Sequence, residues 1–229
     1  MLRGGDCRRT VPAGEAGLKK RPQLLSGEDL PNEPKQARSV DKRVRLKAAG
    51  LSLFGKKGYE RTSIEDVARH AGLPVGTFYQ HFRSKRQLLL VLMDDLLEGL
   101  SKINLQPGAA TDARAGIRGL LTHAFSQDLY YLGAYRAWRE AMLSDPELAV
   151  WHGKIQNWTA SRLAALFRFL AQLPNARGGV DVNGLANAMD SFFWDLLSQA
   201  KQMSKARLQQ RIEVSAHLIY HAFFKDPAQ

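Results

Sequence analysis

The stretch TSIEDVARHAGLPVGTFYQHFRSKRQL, residues 62–88, decides the fold of this chain. Its first apolar residues recur three and four positions apart, which is the spacing of one face of an α-helix. They are Ile64, Val67, Ala68 and Ala71. Thr62 precedes this face and Glu65 follows it by three residues, a spacing that predicts a capping box at the helix start. Gly72 predicts the end of the helix, because glycine adopts a left-handed conformation without steric cost.

A second short helix and the start of a longer one follow in the same stretch. Pro74 is suited to a first helical turn, where its missing N–H breaks no intrahelical bond. Phe78 and Phe82 are four residues apart and are expected to pack inward. Ser84 and Gln87 predict a second capping box, which opens a leucine-rich helix. The outward face is expected to present Val75, Gly76, Thr77, Tyr79, Gln80 and His81.

Two helices joined by a short turn containing glycine form the helix-turn-helix pattern, whose second helix can lie in a DNA major groove. The sequence of residues 47–89 is more informative than this general pattern, because it resembles the TetR/AcrR family of transcriptional regulators. Beyond these residues only helical pattern and length agree with the family. The features that carry the resemblance are Phe54, Gly58, Thr62, Ile64 and its spacing to Ala68, Ala71–Gly72, Gly76, Tyr79, Phe82, Lys85 and Leu88.

The resemblance implies a homodimer that places its third helices in successive major grooves of a pseudo-palindromic operator, with half-sites about 34–36 Å apart. The residues expected to contact base edges or the backbone lie on the third helix: Val75, Gly76, Thr77, Tyr79, Gln80 and His81. Gln80 can read adenine through two hydrogen bonds, and Val75 can contact a thymine methyl group. Thr62, Ser63 and Lys85 are expected to bind phosphates from helix termini.

The distribution of charge agrees with this interpretation. Residues 39–88 hold eleven Lys and Arg against four Asp and Glu, a net charge of +7 out of +11 for the whole chain. Residues 1–38 hold eight against five, or +3, and residues 89–229 hold fourteen against thirteen, or +1. The basic excess therefore lies on the segment that would meet a phosphate backbone.

Several function classes are not indicated by the sequence. Cys7 is the only cysteine, which excludes an internal disulfide and fits a cytoplasmic location. No apolar run reaches the length of a membrane span, and no nucleotide-binding, zinc-protease or hydrolase motif is present. His217 and His221 lie four apart on one helix, but no further ligand completes a metal site in sequence. We therefore expect a non-enzymatic protein without cofactor, metal or membrane partner.

The fold is expected to be all-α, with three parts. Residues 1–38, rich in proline, predict a flexible basic tail; residues 39–86 predict the helix-turn-helix domain; residues 87–229 predict a helical bundle for effector binding and dimerisation. Outside residues 62–83, the predicted helices are 39–57, 84–104, 112–127, 128–144, 146–173, 182–203 and 205–224, with a break at 106–108.

Aromatic residues recur at helical spacing within the predicted bundle, which indicates either plain core or the lining of a ligand cavity. The resemblance favours a cavity for a small hydrophobic or planar aromatic effector whose binding releases a repressor from DNA. The candidate lining residues are Phe125, Tyr131, Tyr135, Trp138, Met142, Trp151, Ile155, Trp158, Phe193 and Trp194. The candidate polar groups are His123, Arg139, His152, Asn157 and Asp190.

The last two predicted helices carry more apolar residues than one small bundle needs, and the resemblance implies that they form an isologous four-helix dimer interface. Its candidate residues are Phe192, Leu208, Ile212, Leu218, Ile219 and Phe223. Two alternatives stay open at this point. One is an architectural or cell-division DNA-binding protein of the same fold, with a filled core and no small-molecule effector. The other is an enzyme that kept a helical scaffold, which would require a perturbed acid–base pair in the cavity.

Overall fold

A computed structural model describes residues 18–31, 34–105, 112–200 and 203–225, apart from the side chains at 127 and 128. Within these ranges every regular element is an α-helix, as the sequence predicts. The helices are α1 Ala37–Lys57, α2 Ile64–His70, α3 Val75–His81, α4 Lys85–Ser101, α5 Ala113–Tyr130, α6 Leu132–Ala141, α7 Pro146–Ala171, α8 Val182–Gln199 and α9 Lys205–Phe223. The predicted break at 106–108 lies outside the described residues.

The N-cap residues of α2 and α4 can be compared with those predicted from the sequence. Ser84 caps α4 as predicted, since its Oγ accepts a hydrogen bond from the Gln87 N–H at 3.1 Å. The predicted cap of α2 is wrong by one residue, because Ser63 and not Thr62 is the N-cap. The Ser63 Oγ accepts from the Asp66 N–H at 3.0 Å, while the buried Thr62 hydroxyl donates to the Gly58 carbonyl at 2.7 Å.

The boundary between α5 and α6 also differs from the prediction. α5 continues to Tyr130, and the helical path is interrupted only at Tyr131, the N-cap of α6, which has φ −92° and ψ 11°. The expected start of α6 at residue 128 was therefore too early.

One hydrophobic core joins the helix-turn-helix to the rest of the chain. Phe54 of α1, Phe78 of α3 and Phe82, directly after α3, are fully buried together with Leu88 at the start of α4 and Trp138 of α6. Six consecutive residues of α4, 88–93, are buried, so this helix is covered on all sides. The expected domain boundary at residue 86 therefore runs through continuous packing.

A second core lies farther along the bundle. It is formed by α5, the second half of α7, α8 and α9, with Ile117, Phe167, Ala186, Ile219 and Phe223 fully buried. Trp194 packs against both cores. The two cores together extend over all nine helices within the described residues.

Residues 18–31, which we name the N-terminal strap, pack on α4 and so contradict the prediction of a flexible tail for this segment. Leu24 is 1% exposed within the first core. Arg21 donates to Asp94 of α4 at 2.7 Å, so this part of the basic cluster 19–21 is paired within the chain. Residues 1–17, with the other basic cluster, lie outside the described residues.

Arginine side chains hold α4 at both of its ends. Arg86 in its first turn donates to Asp145 at 2.8 Å, to Glu147 at 2.6 Å and to Glu28 of the N-terminal strap at 2.6 Å. At the other end, Arg162 of α7 donates to the carbonyls of Leu100 and Ile103 at 2.8 and 2.9 Å. Because the start of α4 meets the start of α7, and its end meets Arg162 farther along α7, the two helices run in the same direction.

α6 crosses α1 at close range. A Cβ atom added to Gly133 would collide with the Leu51 carbonyl oxygen and lie 3.1 Å from the Gly55 nitrogen. Glu140, farther along α6, accepts hydrogen bonds from the N–H groups of Tyr59 and Glu60 at 2.8 and 3.0 Å. α6 therefore holds both α1 and the loop that leads into α2.

Candidate nucleic-acid interface and interior cavity

The exposed face of α3 is narrower than the sequence predicts. Tyr79 is 50% exposed and Val75 37%, and Gly76 and Gln80 are exposed beside them. A Cβ atom added to Gly76 would meet nothing within 4 Å. These four residues form an outward surface, which we name the α3 face, supported from below by the buried Phe78.

Three residues expected to contact DNA are buried instead, namely Thr62, Thr77 and His81. The expectation of an outward position was wrong for Thr77 and His81, because α3 has only two turns and packs two sides against α1 and α2. Burial, together with Arg43 and Lys42, lowers the pKa of His81, so its ring is neutral near pH 7. Its Nε2 has no hydrogen-bond partner among the described residues.

The two remaining residues expected to bind phosphate also have partners within the chain. The Lys85 ammonium donates to the Tyr59 carbonyl at 2.8 Å and lies 4.2 Å from the centre of the Tyr59 ring. Ser63 is exposed, but its hydroxyl caps α2. In this structure Lys85 stabilises the loop before α2 rather than presenting a free charge.

Two arginines of α1 position the helix-turn-helix, although the sequence indicates only a solvated basic face for them. Arg43 donates to the His81 carbonyl at 3.1 Å and lies 4.8 Å from the centre of the Phe82 ring. Arg45 donates to the carbonyls of Ala71 and Gly72 in the turn between α2 and α3. No periodicity signal distinguishes such arginines from solvated ones.

An apolar cavity of about 130 Å³ lies between α4, α5, α6, α7 and α8. Five of the ten predicted lining residues border it: Phe125, Tyr135, Trp158, Phe193 and Trp194. We did not predict the contribution of α4, which supplies Leu96, Leu97 and Leu100 to the cavity wall. The missed signal was the length of the leucine-rich run, which is longer than the helix-turn-helix core requires.

The other five predicted lining residues do not border this cavity. They are Tyr131, Trp138, Met142, Trp151 and Ile155, all of which pack in or against the first core. The aromatic residues along one side of α6 pack into two different cores: Tyr135 lies in the second core and Trp138 in the first.

Asp190 of α8 is the one predicted polar group that borders the cavity. His123, Arg139 and Asn157 are exposed, and His152 packs edge-on against Trp194, with ring centres 5.4 Å apart. Asp190 is only 6% exposed. Burial raises its pKa to about 6, against smaller opposing effects of hydrogen bonding to Thr159 and Trp194.

Arg162 borders the same cavity, and its guanidinium is held by the carbonyls at the end of α4. It also lies 5.3 Å from the centre of the Trp158 ring. Burial lowers its pKa from the ordinary value for arginine. A positive charge is favourable at a helix C-terminus, so Arg162 connects the wall of the cavity to α4.

The predicted dimer residues separate into two groups. Ile212, Ile219 and Phe223 are buried in the second core of their own chain, so the expectation that they face a second copy was wrong. Phe192 and Leu208 are partly buried. Leu218 is 54% exposed, with Val214 at 46% one turn before it on α9.

None of the described helices is both long and apolar enough to span a membrane. No group of three His, Cys, Asp or Glu residues in this part of the chain is arranged to hold a metal ion.

A turn with glycine in the left-handed conformation, Gly72 at φ +64°, joins two short helices, the second with an exposed face, and these features define a helix-turn-helix protein. Residues 46–92 match the family model described as bacterial regulatory proteins, tetR family. The match spans α2, α3 and the adjoining parts of α1 and α4, so the helix-turn-helix of this chain is similar to that of the tetR family.

Two curated relatives and one solved structure are also similar to this chain. The chain is 30% identical over 129 residues to the HTH-type transcriptional regulator EthR of Mycolicibacterium smegmatis, a match that covers 55% of this chain and 59% of that protein. It is 26% identical over 168 residues to BetI of Cronobacter sakazakii, covering 70% of this chain and 81% of the relative. The fold resembles that of the SmeT–triclosan complex with a TM-score of 0.64 at 19% identity, covering 81% and 92% of the two chains.

Proposed function

We propose that this protein is a ligand-responsive transcriptional repressor that binds operator DNA as a homodimer. The observation that carries the proposal is the α3 face, where Tyr79, Gln80 and Val75 project from a helix whose other side is buried. An exposed tyrosine and glutamine beside a glycine suit close approach to a DNA groove. The net charge of +7 over residues 39–88 supports the same surface.

The interior cavity supports ligand responsiveness over the architectural alternative, which needs no effector. Its walls are largely apolar, as expected of a site for a small hydrophobic molecule. The SmeT structure of similar fold was solved with triclosan bound. A filled core at this position would have favoured the architectural protein.

α4 provides a route from this cavity to the DNA. Its first half packs in the core of the helix-turn-helix through Leu88 and Leu92, and its second half borders the cavity through Leu96 and Leu100. An effector that binds more tightly when α4 is shifted would stabilise that shifted position. In a homodimer this shift would move both helix-turn-helix units. A coupling of about 1–3 kcal/mol is typical for such a device.

A second copy would pair through the exposed apolar residues of α9. Val214 and Leu218 are one turn apart and lie on the same side of the helix. A monomer mass at micromolar concentration would contradict this part of the proposal.

The test of DNA binding uses Tyr79→Ala and Gly76→Ala in a mobility shift with upstream intergenic DNA at fixed salt. We expect each to weaken the complex by about tenfold or more, since one removes a contact and the other adds a methyl group at the groove. Tyr130→Ala is the matched control, because this tyrosine is also largely exposed but lies on α5. Unchanged affinity of both variants would contradict the α3 face as the DNA-binding surface.

A further inference from the structure

Asp190 is a carboxylate without a cationic partner in a largely apolar cavity. It is 6% exposed, and among the described residues no Lys, Arg or His nitrogen lies within 4 Å of its oxygens. Asp190 is hydrogen-bonded to Thr159 and Trp194, but burial of a negative charge without an opposite charge beside it is still costly. The cavity therefore contains a site for positive charge that the protein itself does not fill.

Arg162 does not fill this site, although it borders the same cavity. Its guanidinium donates to the Leu100 and Ile103 carbonyls. The negative charge at Asp190 is thus available to a ligand.

Aromatic rings surround the same space. Trp158, Trp194, Tyr135 and Phe193 all border the cavity. Their faces carry partial negative charge and attract organic cations, most strongly where water is excluded. The rings also supply the apolar area that a hydrocarbon group needs.

We propose that the effector is a small lipophilic organic cation, whose ammonium group pairs with Asp190 while its hydrocarbon part packs among the aromatic rings. This inference rests on the proposed function in one respect only, namely that the cavity is the effector site. It narrows the effector from any hydrophobic molecule to an amine. Because ligand binding is measured without DNA, its outcome is independent of the operator assay.

The size of the cavity selects the probe. An apolar cavity of about 150 Å³ in another protein binds benzene, so a cavity of about 130 Å³ calls for a probe built on no more than a single ring. Benzylamine carries the cation, benzyl alcohol is its neutral counterpart of nearly equal shape, and benzoate carries the opposite charge.

The experiment is isothermal titration calorimetry of the full chain at pH 7.5 with each of the three compounds. We expect benzylamine to bind at least about tenfold more tightly than benzyl alcohol, and benzoate to bind least. This comparison uses only the unmodified protein and does not depend on the folding of a variant.

Asp190→Asn tests the residue itself. We expect it to weaken benzylamine binding at least about tenfold and to leave benzyl alcohol within about threefold. Asp195→Asn is the matched control, since it removes the same charge from an exposed position of α8. Equal binding of amine and alcohol, an unchanged preference in Asp190→Asn, or no binding of any probe at millimolar concentration would each overturn the proposal.

Discussion

Arg86 and Asp145 join the first turn of α4 to the N-cap of α7, with the Arg86 Nε 2.8 Å from the Asp145 Oδ2. Asp145 accepts backbone hydrogen bonds from α7 at the same time, at 3.0 Å from Glu147 and 3.2 Å from Leu148. Burial raises the pKa of Asp145, but the hydrogen bonds from Arg86 and from these amides outweigh burial and hold the pKa below its usual value. One carboxylate thus sets both the start of α7 and its position against α4.

Substitution of Arg86 by Ala is expected to lower the free energy of unfolding by about 1–3 kcal/mol, because three carboxylates would then face one another without a cation. Arg83→Ala is the control, since Arg83 is mostly exposed and forms its ion pair with the exposed Asp29. We expect a loss within about 0.5 kcal/mol there. Urea unfolding of the two variants gives the comparison, and equal losses would show that the Arg86 cluster adds nothing to stability.

Leu24→Ala tests the N-terminal strap. Leu24 is fully buried in the first core, so removal of its side chain is expected to cost about 2–4 kcal/mol. Leu143→Ala, at a position 84% exposed, should change stability by less than about 0.5 kcal/mol. Thermal unfolding measures both, and a Leu24 variant as stable as the Leu143 variant would mean that the strap does not pack on α4.

Gly133→Ala tests the crossing of α6 over α1. The added methyl group would collide with the Leu51 carbonyl oxygen, and this oxygen cannot move easily because it belongs to the backbone of α1. We therefore expect the free energy of unfolding to fall by about 1–3 kcal/mol. Gly119→Ala on α5 is the opposite case, since its Cβ meets nothing within 4 Å. Alanine there should stabilise the helix by about 0.5–1 kcal/mol. Stability changes of the same sign in chemical unfolding would contradict the close crossing.

Asp190→Asn should change how stability depends on pH. The pKa of Asp190 rises from 3.8 to about 6 on folding, so between these values the folded protein binds more protons than the unfolded chain. Stability therefore decreases as pH rises from about 4 to about 6, and the cost, about 3 kcal/mol, remains above pH 6. The Asn variant lacks this cost, and its advantage over the unmodified protein should grow over the same range.

Urea unfolding at several pH values between 4.5 and 7.5 measures this difference. Arg162 and Tyr135, which border the same cavity, are common to both proteins. His152, whose pKa is lowered by burial, is common to both proteins and cancels in the comparison. Parallel stability curves for the two proteins would contradict a raised pKa at Asp190.

The sequence predicted the helices and the helix-turn-helix because their signals are local. Ser84 and Pro146 mark helix starts through their own hydrogen bonding and geometry, and periodic apolar residues mark the buried faces. Which of Thr62 and Ser63 caps α2 was harder to predict, because it depends on whether the Thr62 hydroxyl donates its hydrogen bond to the Gly58 carbonyl.

Features that depend on distant contacts could not be predicted. The composition of residues 18–31 is typical of a flexible segment, but contacts with distant residues hold it in place, among them those of Leu24 in the first core and of Arg21 with Asp94. Aromatic spacing could not tell the cavity wall at Tyr135 from the solid core at Trp138, because both lie on one side of α6. In the same way, the apolar residues of α9 were assigned to a partner copy, whereas α5 covers several of them within the chain.

Sequence-specific DNA binding through the α3 face is tested most directly by a mobility shift of the full chain with its own upstream intergenic DNA. Fixed salt and an excess of unrelated duplex remove the contribution of net charge. We expect a discrete complex that resists the competitor and is lost in Tyr79→Ala. A smear that disappears with competitor or moderate salt, or no complex at low salt, would contradict it.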